Sequence, residues 1–223
     1  MEKGTRGELL SCLAEAVESV PAAHPTRVAI DGSPAVGKTT LADELAVVLR
    51  AQGRNVIRAT IEDFLTPRSQ RYRRGEDSPE GCYHDSFDFD ALHRLLLDPL
   101  GPGGDRRFQR AVYDKVTDTA LSEPLVTAPA DAVLLFDGVF LMRPELIDRW
   151  DLRIFVSATF ERTLDRARTR DQTPSRSATE VERRYRSRYI PSQQFYATTV
   201  HPTDHAHVII HNDNPHHPVW ETH

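Results

Sequence analysis

Apolar positions along the chain gather in five short, nearly continuous runs, separated by longer mixed segments. The runs cover residues 27–31, 55–63, 131–138, 152–158 and 207–212. Unbroken apolar runs of this length are typical of strands that are covered on both faces, as the strands of parallel sheets are. The pattern therefore predicts five strands.

Apolar residues at helical spacing mark segments before and between these runs. The predicted helices cover residues 5–20, 39–53, 87–97, 144–150, 159–170 and 179–187. Strands that alternate with helices form right-handed crossover units, so we expect an α/β fold with a doubly wound parallel sheet of about five strands and helices on both faces. The length suits a single domain, 1–223, in which residues 1–26 form an N-terminal helix and linker.

The charge balance narrows the range of partners. The chain carries 28 basic and 33 acidic residues, so no strong overall field attracts it to nucleic acid or to a membrane surface. The N-terminus lacks an apolar targeting segment, and no run reaches the roughly 18 apolar residues of a membrane span. We expect a cytoplasmic protein that binds neither nucleic acid nor membrane, with Cys12 and Cys82 as free thiols, and homo-oligomerisation stays open.

A loop with small side chains, GSPAVGKTT, separates the first predicted strand from the helix that follows it. It consists of Gly32, Ser33, Pro34, Ala35, Val36, Gly37, Lys38, Thr39 and Thr40. Small side chains let several backbone N–H groups converge on a phosphate chain, and the helix N-terminus adds its positive dipole end. The pattern G-x-x-x-x-G-K-[ST] predicts that Lys38 contacts the β- and γ-phosphates of ATP and that the Thr39 hydroxyl binds Mg²⁺. A glycine-rich turn without a ligand is the alternative.

Carboxylates follow two other predicted strands, at the same edge of the sheet as this loop. Asp137 ends the apolar stretch AVLLFD within the run 131–138. There it would serve the Mg²⁺ side of the site, directly or through water, or simply start the turn at Gly138. Glu62 and Asp63 end the run 55–63. Because a hydroxyl that attacks a phosphate profits from a carboxylate that takes its proton, we expect Asp63 to be the general base and Glu62 a ligand of Mg²⁺ or its water. Both acids could instead cap a loop.

Several ordered motifs resemble the uridine kinase and phosphoribulokinase group of P-loop kinases, over residues 27–212. The stretches that carry the resemblance are GSPAVGKTT, IEDF (61–64), YHDSFDFDAL (83–92), AVYD (111–114), LLFDGVF (134–140), FVSATFERTLDRARTRD (155–171) and DHAHVIIHN (204–212). The resemblance implies a P-loop kinase that uses ATP and Mg²⁺ to phosphorylate a hydroxyl of a small molecule, first of all the 5′-hydroxyl of a pyrimidine nucleoside.

The same resemblance assigns roles to residues on the acceptor side. Asp63 matches the catalytic aspartate, although Leu65 stands where the family usually has an aromatic residue. Asp85 matches the carboxylate that holds the ribose hydroxyls, but it would also serve as N-cap of the helix 87–97. Tyr113 matches the aromatic that packs on the nucleobase. The family's base-reading His is missing from residues 114–118, so the identity of the acceptor stays open.

In this family an arginine-rich lid, here near residues 165–180, closes over the transferred phosphoryl group. The resemblance implies that Arg166 and Arg170 neutralise its charge and that Arg176 contacts the substrate. Alternatively, these arginines form a solvated helix face that pairs with Glu161 and Asp165.

Two further clusters are left without a fixed role. Arginines at positions 68, 71, 73 and 74 would suit an anionic acceptor, or they belong to a solvent-facing loop. Seven histidines near the C-terminus form a metal site or a polar tail; they are His201, His205, His207, His211, His216, His217 and His223.

Three functions are compatible with the sequence. The first is a uridine kinase-like phosphotransferase with an alcohol group as acceptor. The second is a kinase of another small metabolite, of the sugar, pantothenate or glycerate type. The third is a nucleotide-binding regulator that keeps the phosphate loop but transfers nothing.

Overall fold

A computed structural model describes residues 1–21, 23–173 and 177–223 of the chain. The strands are β1 (Glu2–Lys3), β2 (Thr26–Gly32), β3 (Val56–Thr60), β4 (Arg107–Phe108), β5 (Tyr113–Asp114), β6 (Thr119–Ala120), β7 (Val126–Thr127), β8 (Val133–Gly138), β9 (Leu152–Ser157), β10 (Val208–His211) and β11 (Val219–Thr222).

The helices alternate with the long strands. They are α1 (Arg6–Glu18), α2 (Lys38–Ala51), α3 (Arg68–Arg71), α4 (Pro79–His84), α5 (Phe89–Leu92), α6 (Phe160–Arg170), α7 (Ala178–Arg184), α8 (Ile190–Val200) and α9 (Pro202–His205). Short 3₁₀ segments cover Ile61–Phe64 and Ile147–Arg149, and π-helical segments cover His93–Leu97 and Tyr185–Tyr189.

The central sheet has seven strands in the order β1-β11-β10-β9-β2-β8-β3. The pairs β10–β9, β9–β2, β2–β8 and β8–β3 are parallel, and they contain all five predicted strands. β11 and β1 add an antiparallel edge that the apolar runs did not predict. The prediction of a doubly wound parallel sheet is confirmed. The histidine-rich C-terminal segment, which the sequence left as a metal site or a polar tail, contains the strand β11.

The two central strands explain why their sequence is continuously apolar. Val28 and Ile30 of β2 belong to a buried cluster on one face of the sheet, beneath α1 and α2. Ala29, between them, belongs to a second buried cluster on the other face, with Phe136 of β8 and Trp150. Both faces are therefore covered, as expected for a parallel sheet.

Two predicted elements end earlier than their sequence pattern suggested. β3 stops at Thr60, because Thr60 caps the 3₁₀ turn Ile61–Phe64 through reciprocal bonds with Asp63. The predicted helix 144–150 is only the turn Ile147–Arg149. Trp150 is already extended there, and its indole N–H donates to the carbonyl of Leu141 at 2.8 Å, which ends the helix.

The region after α6 is more helical than predicted. The predicted helix 179–187 is α7, and the chain continues through the π-helical segment into α8. No helix among the described residues is long and apolar enough to cross a membrane.

Candidate active site

The phosphate loop joins β2 to α2 at the carboxyl edge of the sheet. Gly32 has a φ of 148°, and a Cβ at this position would lie 2.1 Å from the carbonyl oxygen of Val156 on β9. Gly37, the N-cap of α2, has a φ of 98°. Both positions therefore require glycine. The backbone N–H groups of the loop are consequently not covered by side chains at these two positions, next to the start of the helix.

Lys38 is buried at the beginning of α2, with 8% of its surface exposed. Its Nζ donates to the carbonyl oxygen of Ser33, 2.8 Å away, across the loop. Burial lowers the pKa of Lys38 to about 8, while the carboxylates of Asp31 and Asp137 act in the opposite direction. An anion bound in this loop would offset the cost of burying the ammonium group.

Thr39 and Asp137, the two predicted Mg²⁺ ligands from the loop and from β8, are in direct contact. The Thr39 hydroxyl donates to Asp137 Oδ2 at 2.7 Å. Arg58, which the sequence did not single out, donates to the other carboxylate oxygen at 2.8 Å. A hydroxyl beside a carboxylate is a set of hard oxygen donors, which suits Mg²⁺.

Asp63 lies one turn beyond the end of β3 rather than within the strand. Thr60 pairs in register with Asp137 of β8 and donates its hydroxyl to the Asp137 carbonyl at 2.9 Å, so this turn is next to the phosphate loop edge. Among the described residues, Asp63 Oδ2 accepts only a long bond from the Thr60 N–H, at 3.3 Å. Burial raises the pKa of the Asp63 carboxyl above its usual range. Glu62 points to solvent and forms an ion pair with Lys115.

The structure adds a buried acid to the site. Asp31, the residue before the loop, has no exposed surface and accepts bonds from the N–H of Gly32 at 2.7 Å and the hydroxyl of Tyr196 at 2.5 Å. Burial raises the pKa of Asp31. An acid at the end of an apolar strand was a signal for this residue, but nothing in the sequence pointed to Tyr196.

The predicted lid arginines differ in their partners. Arg166 on α6 donates to the carbonyl oxygens of Val36 at 3.3 Å and of Asn212 at 2.7 Å, so it braces the outside of the phosphate loop. Arg170 pairs with Asp171 at 2.6 Å. The alternative of a helix face paired with Asp165 holds for the neighbouring Arg168, at 3.1 Å. Arg176, the predicted substrate contact, lies outside the described residues.

Asp85, predicted to bind ribose, is held by two arginines. One carboxylate oxygen is 2.5 Å from Arg73 and the other is 2.7 Å from Arg74, and the bond from Arg73 lowers the pKa of Asp85. The N-cap alternative for Asp85 is wrong: Asp88 caps α5 by accepting from Ala91 N at 2.9 Å, and Asp85 instead follows the end of α4.

Tyr113, the predicted base-stacking residue, is also engaged. Its hydroxyl donates to Asp118 at 2.5 Å, and the guanidinium of Arg71 lies 5.7 Å from the centre of its ring. Arg71 is itself buried and pairs with Asp118 at 3.1 Å. The arginine-rich segment 68–81 therefore contacts both predicted acceptor residues, and a purely solvent-facing loop is wrong for Arg71.

The histidine cluster does not assemble in space. His207 accepts from the backbone N–H of Arg153 at 3.0 Å, and His211 approaches Glu221 at 3.5 Å. Within residues 1–21, 23–173 and 177–223, no three His, Cys, Asp or Glu side chains are grouped to hold a metal ion. Cys12 and Cys82 are both free thiols.

A parallel sheet with this phosphate loop and the carboxylates at its edge has the fold of the P-loop kinases. The sequence profile of the cytidylate kinase-like family matches residues 27–214, and the chain belongs to this family. The resemblance found in the sequence is thereby confirmed.

The relatives described below share 28% or less of their aligned residues with the chain. Over 149 residues the chain is 28% identical to uridine-cytidine kinase B of Dictyostelium discoideum, which covers 66% of this chain and 59% of that protein. The chain thus spans less than two thirds of that relative.

Solved structures share the fold. A possible uridine kinase from Bacillus stearothermophilus superimposes with a TM-score of 0.71 at 22% identity, covering 91% of this chain and 97% of the other. D-glycerate 3-kinase from Cryptococcus neoformans superimposes with a TM-score of 0.66 at 16% identity, covering 98% and 97%.

Proposed function

We propose that the protein is an ATP- and Mg²⁺-dependent phosphotransferase whose acceptor is an alcohol group of a small molecule. The observation that carries this proposal is the assembly at one sheet edge of the buried Lys38, the contact between Thr39 and Asp137, and the weakly bonded carboxylate of Asp63. Phosphoryl transfer needs a cradle for the phosphates, oxygen ligands for the metal and a proton acceptor for the attacking hydroxyl.

On the nucleotide side, the loop N–H groups and Lys38 would hold the phosphate chain of ATP. Lys38 reaches across the loop already, since its Nζ contacts the Ser33 carbonyl. Thr39 and Asp137 would hold Mg²⁺, with Glu62 acting through water. When bound, Mg²⁺ supplies positive charge that neutralises the phosphate oxygens. Arg58 keeps the Asp137 carboxylate oriented towards Thr39.

On the acceptor side, Asp63 would accept the proton of the attacking hydroxyl. Its raised pKa and its single long bond leave a carboxylate that is basic and only loosely held. Arg170 and Arg166 would close on the transferred phosphoryl group from α6, and Arg176 would contact the substrate.

The first acceptor to consider is the 5′-hydroxyl of a pyrimidine nucleoside. The name of the Dictyostelium relative, a uridine-cytidine kinase, supports it. So do Asp85 and Tyr113, which match the family's residues for ribose and base.

A second acceptor class is a small metabolite of the sugar, pantothenate or glycerate type. The bonds from Arg73 and Arg74 to both oxygens of Asp85 favour it, because that carboxylate is then occupied and not open to two ribose hydroxyls.

The test is an acceptor screen read by ADP release, with nucleosides, sugars, pantothenate and glycerate. With the best acceptor, Asp63→Asn should lower turnover by about 10²-fold or more with unchanged nucleotide affinity, because asparagine cannot take the proton. Asp131→Asn, at an exposed position before β8, is the matched control and should behave as wild type.

Each outcome decides between functions. Turnover that survives in Asp63→Asn makes the base assignment wrong and leaves Glu62 as the next acid. Tight ATP binding without ADP release from any acceptor contradicts the enzyme and favours the regulator.

A further inference from the structure

The ring of Tyr72 is surrounded by arginines, an arrangement that we term the Tyr72 cluster. The guanidinium carbons of Arg68, Arg71, Arg184 and Arg188 lie 5.3, 5.5, 5.3 and 4.9 Å from its ring centre. A single aromatic ring has two faces to offer to cations. Cation–π attraction therefore does not by itself account for four guanidiniums at this place.

Among the described residues, carboxylates form ion pairs with only two of the four arginines of the Tyr72 cluster. Arg68 pairs with Glu76 at 2.9 Å and Arg71 pairs with Asp118 at 3.1 Å. Neither Arg184 nor Arg188 forms an ion pair with a carboxylate of the described residues. Because guanidiniums stay charged in proteins, these two positive charges are without a direct ion-pair partner there, and Asp77 and Glu180 act on Arg184 only from a longer distance.

Of these two arginines, Arg188 is buried and forms hydrogen bonds within the fold. It is 2% exposed, and it donates to the carbonyl oxygens of Glu76 and Ser78, each at 3.1 Å. It thus ties the segment 68–81 to the helix that leads into α8. Its charge adds to the local positive field, but its N–H groups are bonded to backbone carbonyls and to the Ser86 hydroxyl.

Arg184, at the end of α7, is half-buried, and not all of its N–H groups are bonded within the described chain. Its Nε donates to the Tyr189 hydroxyl at 3.1 Å and its Nη2 to the Tyr72 hydroxyl at 2.5 Å. Its Nη1 makes no hydrogen bond within the described part of the chain. One edge of the guanidinium is therefore open to a ligand.

The two tyrosine hydroxyls lie at the other two nitrogens of the same guanidinium. Each accepts a bond from Arg184, and neither donates its own hydrogen to an acceptor among residues 1–21, 23–173 and 177–223. The N–H groups of Nη1 and two O–H donors thus surround one guanidinium without an acceptor among the described residues. Such a set suits the oxygens of a carboxylate or a phosphate.

The position of Arg184 connects the Tyr72 cluster to the candidate active site. Tyr189, Tyr185 and Gln193 line a small cavity together with Ser33 and Pro34 of the phosphate loop. On its other side the cluster reaches the predicted acceptor residues. Arg71 lies over Tyr113, and Arg188 donates to the hydroxyl of Ser86, next to Asp85, at 3.4 Å.

We propose that Arg184, with the hydroxyls of Tyr72 and Tyr189, forms an anion subsite that binds a carboxylate or phosphate group of the phosphoryl acceptor. The proposal rests on the proposed function, since it names the class of acceptor for the same site. The acceptor is then an alcohol that carries an oxyanion, and its anionic end is bound on the α7 side of the phosphate loop.

The first test is binding alone, so that it stands apart from catalysis. The phosphate loop is first filled with a non-hydrolysable ATP analogue and Mg²⁺, and inorganic phosphate and acetate are then titrated by calorimetry. We expect wild type to bind at least one of these anions, and Arg184→Gln to weaken that binding by about 10- to 100-fold, the usual scale of hydrogen bonds to charged groups. Tyr72→Phe and Tyr189→Phe should each weaken it by a smaller factor.

The matched control is Arg186→Gln. Arg186 lies two residues away, is exposed, and pairs with Glu182 at 2.9 Å, so its loss removes the same charge from the same region without touching the subsite. Anion binding in this variant should equal that of wild type. Equal weakening in Arg184→Gln and Arg186→Gln would show only a general charge effect and would overturn the proposal.

The second test compares acceptors in matched pairs, D-glycerate with glycerol and ribose 5-phosphate with ribose. The anionic member of at least one pair should be preferred, and Arg184→Gln should raise its KM by about 10- to 100-fold with kcat and ATP affinity unchanged. The two pairs distinguish a carboxylate from a phosphate.

The outcomes separate this proposal from the proposed function. Turnover of uridine or another neutral acceptor that is insensitive to Arg184→Gln, without anion binding, overturns the subsite and leaves the kinase. Anion binding that depends on Arg184 without any ADP release supports the subsite and contradicts the kinase. If no anion binds in an Arg184-dependent way, the subsite is wrong.

Discussion

At the scale of the residue, Lys38 is buried although the proposed binding of phosphates requires its ammonium group to be charged. Burial lowers its pKa to about 8. A bound phosphate chain would favour the charged form and raise the pKa again. Nucleotide binding would therefore be linked to the protonation of this side chain.

We predict that nucleotide affinity is constant below about pH 8 and falls above it, because free Lys38 then loses a proton that the complex must regain. The measurement is ADP affinity by titration between about pH 7 and about pH 10, the range around the lowered and the ordinary lysine pKa. Lys38→Arg is the control, since arginine stays charged over this range. An equal pH dependence in both proteins would refute the link to Lys38.

The sequence was informative about residues whose role depends on local spacing. Lys38 and Thr39 follow from the loop motif, and Asp137 follows from its place at the end of a strand. The structure brings Thr39 and Asp137 into contact, and the roles of all three residues stay predictions. Arg58 and Arg184 could not be found in this way, because their partners Asp137 and Tyr72 are distant in sequence and meet only in the folded chain.

At the scale of the element, the phosphate loop is held from outside by the segment that follows β10. Asn212 donates from its Nδ2 to the carbonyl oxygen of Val36 at 2.7 Å, and Arg166 donates to the same oxygen. A Cβ on Gly37 would lie 2.8 Å from that Nδ2. The loop conformation thus depends on glycine for its φ and for this contact.

We predict that Gly37→Ala weakens nucleotide binding by about 10-fold, because it disturbs the Asn212 bond as well as straining the backbone. Gly53→Ala is the matched control: its φ is 87°, but a Cβ there meets no atom within 4 Å. Each change should lower the free energy of unfolding by about 1–2 kcal/mol through φ alone. Denaturant titrations and nucleotide titrations measure both effects, and a nucleotide defect of equal size in both variants would contradict the steric argument.

The hydrophobic pattern failed to predict helices or strand ends where buried positions carry polar residues. In α8, Ser192 and Gln193 are buried beside Tyr196, so the buried face of the helix does not read as apolar in the sequence. The bounds of β3 depend on the bonds between Thr60 and Asp63, which a hydrophobic pattern does not register. The long apolar runs of β2 and β8 were predictable because both faces of these strands are buried.

At the scale of the whole molecule, the sheet is completed by two strands from opposite ends of the described chain. β11 pairs with β10 on one side and with β1 on the other. Trp220 of β11 is 4% exposed and belongs to the same buried cluster as Leu9 and Leu13 of α1. The hydrophobic pattern did not predict β11, because the residues before this strand are rich in histidine and proline and the strand itself contains only one large apolar side chain.

We predict that Trp220→Ala lowers the free energy of unfolding by about 3–5 kcal/mol, the cost of removing a buried aromatic side chain and leaving a cavity. This is a large part of the 5–15 kcal/mol that is typical of whole domains, so the melting temperature should fall markedly. Because Trp220 packs against α1 and lies outside the phosphate loop, nucleotide affinity measured well below the melting temperature should not change. Trp220→Phe is the control that keeps most of the apolar volume, and it should lose clearly less stability. Urea denaturation followed by circular dichroism measures both variants. A loss of about 0.5 kcal/mol or less in Trp220→Ala, the level of ordinary surface substitutions, would mean that β11 and β1 are dispensable to the core of the sheet.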